Sequence, residues 1–288
     1  AGTIYGNVGF KAQYDFAGGD ADFKDVYVTV NTPYGLWTVG HQYEPFGLDV
    51  QTSSKYITFM ERSLVAGMAP ERNTGLKLSN SLADGQWQWA AGVFRDADDF
   101  GDDNDSLGSG EWNFTGRIAG VAWEDEDAEE TTLLGVGASG SLRKASDEVV
   151  NSSFATPYKD SAGRVSLRGA QHIGPRLVDT GRFGVDDDTK MWGFDAVFLM
   201  GPLHAQAEYV TQDWDTVGGS ADLDSWAVQA GYFLTGETRN WDGGDANWGR
   251  TSPNSNYGAE EGDGLGAWEA AVRYDTADLH DGPLQGGE

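Results

Sequence analysis

The sequence predicts an all-β protein, a transmembrane antiparallel β-barrel. Three observations lead there. Eleven long segments alternate apolar and polar residues with period two, the signature of strands with one apolar face. Their connections alternate between very short and long, as in bacterial outer-membrane barrels. No window approaches ~18 consecutive apolar residues, which excludes helical membrane spans. A mean hydropathy of −0.48 does not oppose this reading, because every second residue of a membrane strand faces a wet lumen. Composition alone leaves a soluble all-β protein open.

The clearest strand is the first. Ile4, Gly6, Val8, Phe10, Ala12, Tyr14 and Phe16 share one face of residues 2–16, with Lys11 and Asp15 on the other. That is longer than the ~5–6 residues of a soluble strand and suits a tilted membrane strand of ~9–11. Val26, Val28 and Val30 follow, then a turn at NTPYG, then Trp37 and Val39. Leu76 and Leu78 precede a short LADG turn and the run Trp87, Trp89, Ala91, Val93. Segments around Trp112–Ile118 and Leu134–Ala138 come next. Trp192 to Met200 then turns at Gly201–Pro202 into Leu203–Tyr209, and segments at Trp226–Leu234 and Trp268–Tyr274 close the series. Residues 44–73, 96–110, 143–190 and 214–221 read as longer polar connections, and 235–264 is long on the side where short turns prevail. Trp and Tyr near segment ends suit the two membrane–water boundaries. Trp87, Trp89, Phe194, Phe198, Trp226 and Trp268 hold the apolar phase and are expected on the lipid-facing surface.

Composition narrows the function classes. Gly is abundant (41 residues), aromatics reach 12% and Pro is scarce (8), which favours strands and turns. There is no cysteine, so neither a disulfide framework nor a thiolate metal site is available. A net charge of −27 argues against nucleic-acid partners. No signal peptide is visible at Ala1, so an exported protein would be represented by a mature or trimmed chain. Residues 96–105 (DADDFGDDND) cluster carboxylates as calcium sites do, but lack the ligand spacing and closing Glu of an EF-hand. His41, His172, His204 and His280 show no metal spacing, and no cofactor or catalytic constellation is expected.

Phe46 to Leu64, FGLDVQTSSKYITFMERSL, is too polar for a core helix and too rich in Phe, Tyr, Ile and Met for a plain surface loop. It resembles the FGL(E/D)xxTSSKxxTxxER(N/S)L segment of the phosphate-selective porins of Gram-negative outer membranes. Three further stretches resemble the same family in the same order: MWGFDAVFLMGPLHAQAEYV, GYFLTGETRNW and GAWEAAVRYD. The resemblance implies a sixteen-stranded barrel, of which the eleven segments would be strands three through thirteen, and hence a chain longer than these 288 residues. It also implies that 44–73 folds inward as a constriction loop, that 235–264 enters the barrel, and that 143–190 is a long external loop over the pore mouth. A homotrimer in outer-membrane lipid, passing small hydrophilic solutes or anions, follows from the same likeness.

Such a channel needs no nucleophile, only a constriction with charges that favour one sign of ion. Ser53, Ser54, Lys55 and Arg62 match family positions in the inserted loop, and hydroxyls beside cationic donors suit an oxyanion. An alternative for Lys55 and Arg62 is local salt bridging, to Asp49 and Glu61 for instance. Phe46, Ile57, Phe59 and Met60 are the apolar anchors expected to hold the loop. By alternation, Lys11, Lys77, Arg117 and Arg273 point inward, together with Asp15, Asp195, Glu208 and Glu269. Where phosphate-selective members carry a constriction lysine, this chain has Val50, which argues against a tight phosphate site. Residues 143–190 carry +1 while the rest of the chain carries −28. A positive loop at the mouth would gather anions, so a weak anion preference is the expectation. Two alternatives stand beside it: a cation-preferring general porin, and an acidic soluble or surface β-protein, calcium-stabilised and carbohydrate-binding.

Overall fold

The computed structural model describes residues 1–16, 22–95, 112–145, 149–150, 158–159, 162–169, 174–258 and 264–287. One antiparallel sheet dominates, its twelve strands paired in strict chain order. They are β1 (Gly2–Ile4), β2 (Val8–Asp15), β3 (Asp22–Thr32), β4 (Gly35–Tyr43), β5 (Arg72–Leu82) and β6 (Trp87–Arg95). β7 (Trp112–Glu124), β8 (Thr132–Arg143), β9 (Thr189–Met200), β10 (Leu203–Thr216), β11 (Gly219–Phe233) and β12 (Glu269–Asp278) complete it. Nearest-neighbour antiparallel pairing satisfies the backbone of the interior strands within the sheet, the condition for crossing lipid, while β1 and β12 pair on one side only. No helix among the described residues is long and apolar enough to cross a membrane.

Two expectations about connections need correction. The alternating run 2–16 is not one strand. Tyr5 and Gly6 both adopt positive φ (55° and 78°) and turn the chain, so that Gly2–Ile4 pairs back onto Phe10–Val8. Alternation continues through such a turn when the loop length preserves parity, which is why the sequence pattern conceals it. Residues 214–221 are not a long loop either. β10 and β11 stay paired to Thr216 and Gly219, leaving only Val217 and Gly218 to turn. Polar residues there mark strands that continue beyond the apolar belt.

The outer face is apolar and open. Phe194 (53% exposed), Trp226 (39%) and Trp268 (58%) all lie on it, with Val28, Val39, Ile118 and Val272 nearby in phase. Trp87, Trp89 and Phe198 belong to the same phase and are half-buried. In β7 the register shifts between Val121 and Trp123, so Ala122 is an extra residue. The bulge moves Trp123 from the inward to the outward phase, where it pairs with Leu134.

The apolar cores lie between the sheet and the segments packed on its face. One cluster joins Phe46, Val50, Val65 and Ala66 to Val165, Leu167, Val178, Met191, Val210, Leu223 and Leu279. A second joins Leu48 to Leu133, Val197, Leu199 and Trp248. Each fully buried Phe, Leu or Val stabilises its segment by about 1.5–3 kcal/mol against exposure. The first cluster also fixes the described part of 143–190. Ser166–Arg168 pairs with Arg176–Asp179, and this hairpin meets the backbone of the 279–287 turn through the Asp179 amide on the Gly286 carbonyl. The acidic run 96–105, His172 and the Lys159 side chain lie outside the described residues.

Candidate functional site

The FGLD tetrapeptide shows residue by residue how the entering segment is held. Phe46 is fully buried with its ring over Gly193 of β9, where an added Cβ would lie 2.9 Å from the ring. Gly47 takes φ +65°, and a Cβ there would stand 2.5 Å from Glu208 Oε1, so both conformation and space require glycine. Its amide donates to Ser139 Oγ of β8 at 3.1 Å. The amides of Leu48 and Asp49 donate to the two oxygens of Glu208 on β10, each at 2.9 Å. The Asp49 carboxylate accepts from both the amide and the hydroxyl of Ser63, at 2.8 Å each, closing the segment on itself. Further along, the Leu64 amide donates to Asp275 and Arg273 Nη1 donates to the Glu61 carbonyl, both from β12. Contacts with β8, β10 and β12 hold residues 46–64 against one face of the sheet.

A second segment meets the first from the opposite end. Trp248 is 1% exposed, donates its indole N–H to Gln206 Oε1 at 2.7 Å, and has the Arg239 guanidinium 4.0 Å over its ring. Arg239 in turn donates to the Tyr56 carbonyl at 3.0 Å, and Asn247 to the Gln51 carbonyl at 3.3 Å. Residues 235–258 therefore brace the tip of 46–64.

The residues singled out from sequence fall into three groups. Arg62 holds the loop: Nε donates to the Asp49 carbonyl at 2.8 Å and Nη2 to the Thr52 carbonyl at 2.7 Å, so it makes backbone bonds rather than a salt bridge. Lys11 and Arg117 are paired across strands. Lys11 meets Asp25, which also accepts from Arg72 Nε at 2.7 Å, and Arg117 forms a two-pronged pair with Asp195. Among the described residues, Ser53, Ser54, Lys55 and Lys77 keep their polar ends free of carboxylates. Ser53 and Ser54 are exposed, and the Lys55 side chain opens on a 550 Å³ cavity with Arg239, Arg250 and Glu269. Lys77 donates to the Tyr43 carbonyl at 3.4 Å, and shares a 380 Å³ polar cavity with Arg117, Gln51, Gln88 and Asp245. One anchor expectation fails outright. Met60 is 99% exposed and anchors nothing, since the buried apolar contacts are Phe46, Leu48 and Val50 at the start of the loop.

Sequence reasoning missed Arg239, Arg250 and the role of Glu208. Glu208 was legible only as an inward-facing charge, because its partners are backbone amides about 160 positions away and leave no side-chain pattern. Among the described residues no cluster of His, Asp or Glu could hold a metal ion.

A sequence model of the family described as phosphate-selective porin O and P matches residues 1–288. The chain belongs to that family. Porin O of Pseudomonas aeruginosa is 28% identical over 306 residues, covering 97% of this chain and 64% of its own length. An uncharacterized protein of Caulobacter vibrioides is 29% identical over 292 residues, covering all of this chain and 55% of its own. The chain thus spans a little over half to just under two thirds of the length of these relatives. Membership assigns the porin to the Gram-negative outer membrane, and gives the exposed apolar face its solvent: lipid.

Proposed function

We propose that this porin lines a passive diffusion channel for small hydrophilic solutes, with a weak preference for anions and without a tight phosphate site. What supports the preference is an asymmetry of pairing. Six carboxylates that meet the inward segments each have a donor: Asp25 (Lys11, Arg72), Glu44 (Arg143, Thr115, Asn73), Asp49 (Ser63), Asp195 (Arg117), Glu208 (two amides) and Glu269 (His204). Lys55, Lys77 and Arg250 have no carboxylate within 4.0 Å among the described residues, and all three line cavities. Lys55, Lys77 and Arg250 thus carry positive charge that no carboxylate at ion-pair distance cancels, whereas remote surface acids are screened beyond ~8 Å at physiological salt. Val50 is buried in an apolar cluster, so no cation stands at that position. Trimeric assembly of the whole protein rests on the family resemblance.

A cation-preferring pore is the second reading, favoured by Asp245, which is exposed at the Lys77 cavity. Reversal potentials of the full-length porin in a KCl gradient across a planar bilayer separate the two. The expected wild-type value is weakly anion-selective, moving toward cations when Lys55 and Lys77 become Ala. A cation-selective wild type, unchanged by those substitutions, would mean that the net charge of −27 decides.

A further inference from the structure

We infer that Glu208 is a positioning residue for the constriction, a latch on the pore wall that seats the entering loop. The inference rests on the porin reading above and adds a part to it. Two of the motifs that single out this chain, FGLD at 46–49 and AQAEYV at 205–210, are the two halves of one contact. Glu208 is 3% exposed and uses both carboxylate oxygens on the amides of Leu48 and Asp49. Its neighbouring charges are engaged elsewhere: Arg117 with Asp195, and the Asp49 carboxylate with Ser63. Nothing else among the described residues accepts those two amides. An inward wall charge that tuned the pore field would keep its oxygens toward the lumen. Glu208 instead spends them on the backbone, and Gly47 lies against it where no side chain fits.

A carboxylate at this place offers two acceptors to two parallel donors. Glutamine offers one acceptor group and one donor group, so Glu208→Gln keeps one amide on its carbonyl and sets an N–H against the other, which is released. The latch is therefore specific to an acid of this length, and the loop's seating follows from it.

The test compares wild type with Glu208→Gln in the full-length porin, using hydrogen exchange of the 46–52 backbone, single-channel conductance and barrel melting. Loss of the paired bonds is expected to speed exchange of the Leu48 and Asp49 amides by about tenfold or more, with β-strand amides unchanged. Conductance should become larger or flicker between levels while the melting temperature of the wall holds. Unchanged amide exchange and a steady wild-type conductance in a folded Glu208→Gln barrel would overturn the inference. Should that variant fail to fold, Gly47→Ala attacks the same contact from the loop side, and wild-type exchange and conductance there would equally overturn it. The exchange measurement needs no ion flow. A wild type that forms no channel therefore counts against the porin reading, and unaltered exchange counts against the latch.

Discussion

At the scale of single residues, the lumen charges are decided by their nearest donor or acceptor. Arg117 and Asp195 have side chains only 7% and 2% exposed. Removing one partner of a buried pair strands the other, at about 3–5 kcal/mol. Arg117→Ala is thus expected to lower the stability of the folded barrel by about that amount, read from denaturant unfolding in detergent, whereas a loss under ~1 kcal/mol would mean that lumen water solvates Asp195 freely. The paired strands Ser166–Arg168 and Arg176–Asp179 offer a different test. Arg164 bonds Asp179 through Nε at 2.9 Å and Nη2 at 2.5 Å, and holds the Asp179 carboxyl well below its usual range, at about 2. Because the folded value is the lower one, the pairing contributes stability above ~4 and loses it as pH falls from ~4 through about 2. A carboxyl NMR titration of Asp179 with a midpoint near 4 in the folded protein would show that the pair does not form in solution.

At the scale of elements, each strand carries two messages, one per face. Phe194 lies midway along β9 on the lipid face, so Phe194→Arg is expected to cost ~2–4 kcal/mol, and less at Phe198, closer to the Gly201 turn. Equal costs at the two sites would mean that the strand crosses the bilayer at another depth. The lipid face was legible in the sequence because period two is a local property: Trp192, Phe194, Ala196, Phe198 and Met200 announce it in one stretch. The turn at Tyr5–Gly6 and the Ala122 bulge were not legible. The first preserves parity and the second changes it by one residue, and neither adds an unusual residue type. The inward side was legible only as a list of charges. Alternation aims Lys11, Lys77 and Arg117 inward, but whether a cation is free or paired depends on the register of strands it never adjoins in sequence. Likewise the family-like loop named Arg62 as a candidate ligand, while the fold directs its guanidinium to the carbonyls of Asp49 and Thr52.

At the scale of the whole molecule, the usual inside and outside are exchanged: apolar residues face lipid, and the buried apolar clusters are seams joining the sheet to the segments packed on its face. Leu167, 1% exposed, joins the strand Ser166–Arg168 to Val65 and Ala66 that follow the 46–64 segment. Leu167→Ala should cost about 2–5 kcal/mol locally, seen as faster proteolysis within 162–181 while the barrel keeps its melting temperature; simultaneous loss of both would make the strand pair part of the wall. The latch at Glu208 also constrains the order of assembly. Its two amides lie 160 and 159 residues from their acceptor, so they have nowhere to dock until β5 to β10 have paired into the wall. Contacts this distant in sequence form late, since the intervening chain must first be closed. The nascent barrel should therefore pass through a wide-bored stage, its future bottleneck still dangling and open to protease, and become narrow only as its last act. Pulse proteolysis during refolding into detergent would see cleavage at 46–64 outlast cleavage within the strands, and protection of the loop ahead of β10 would reverse that order.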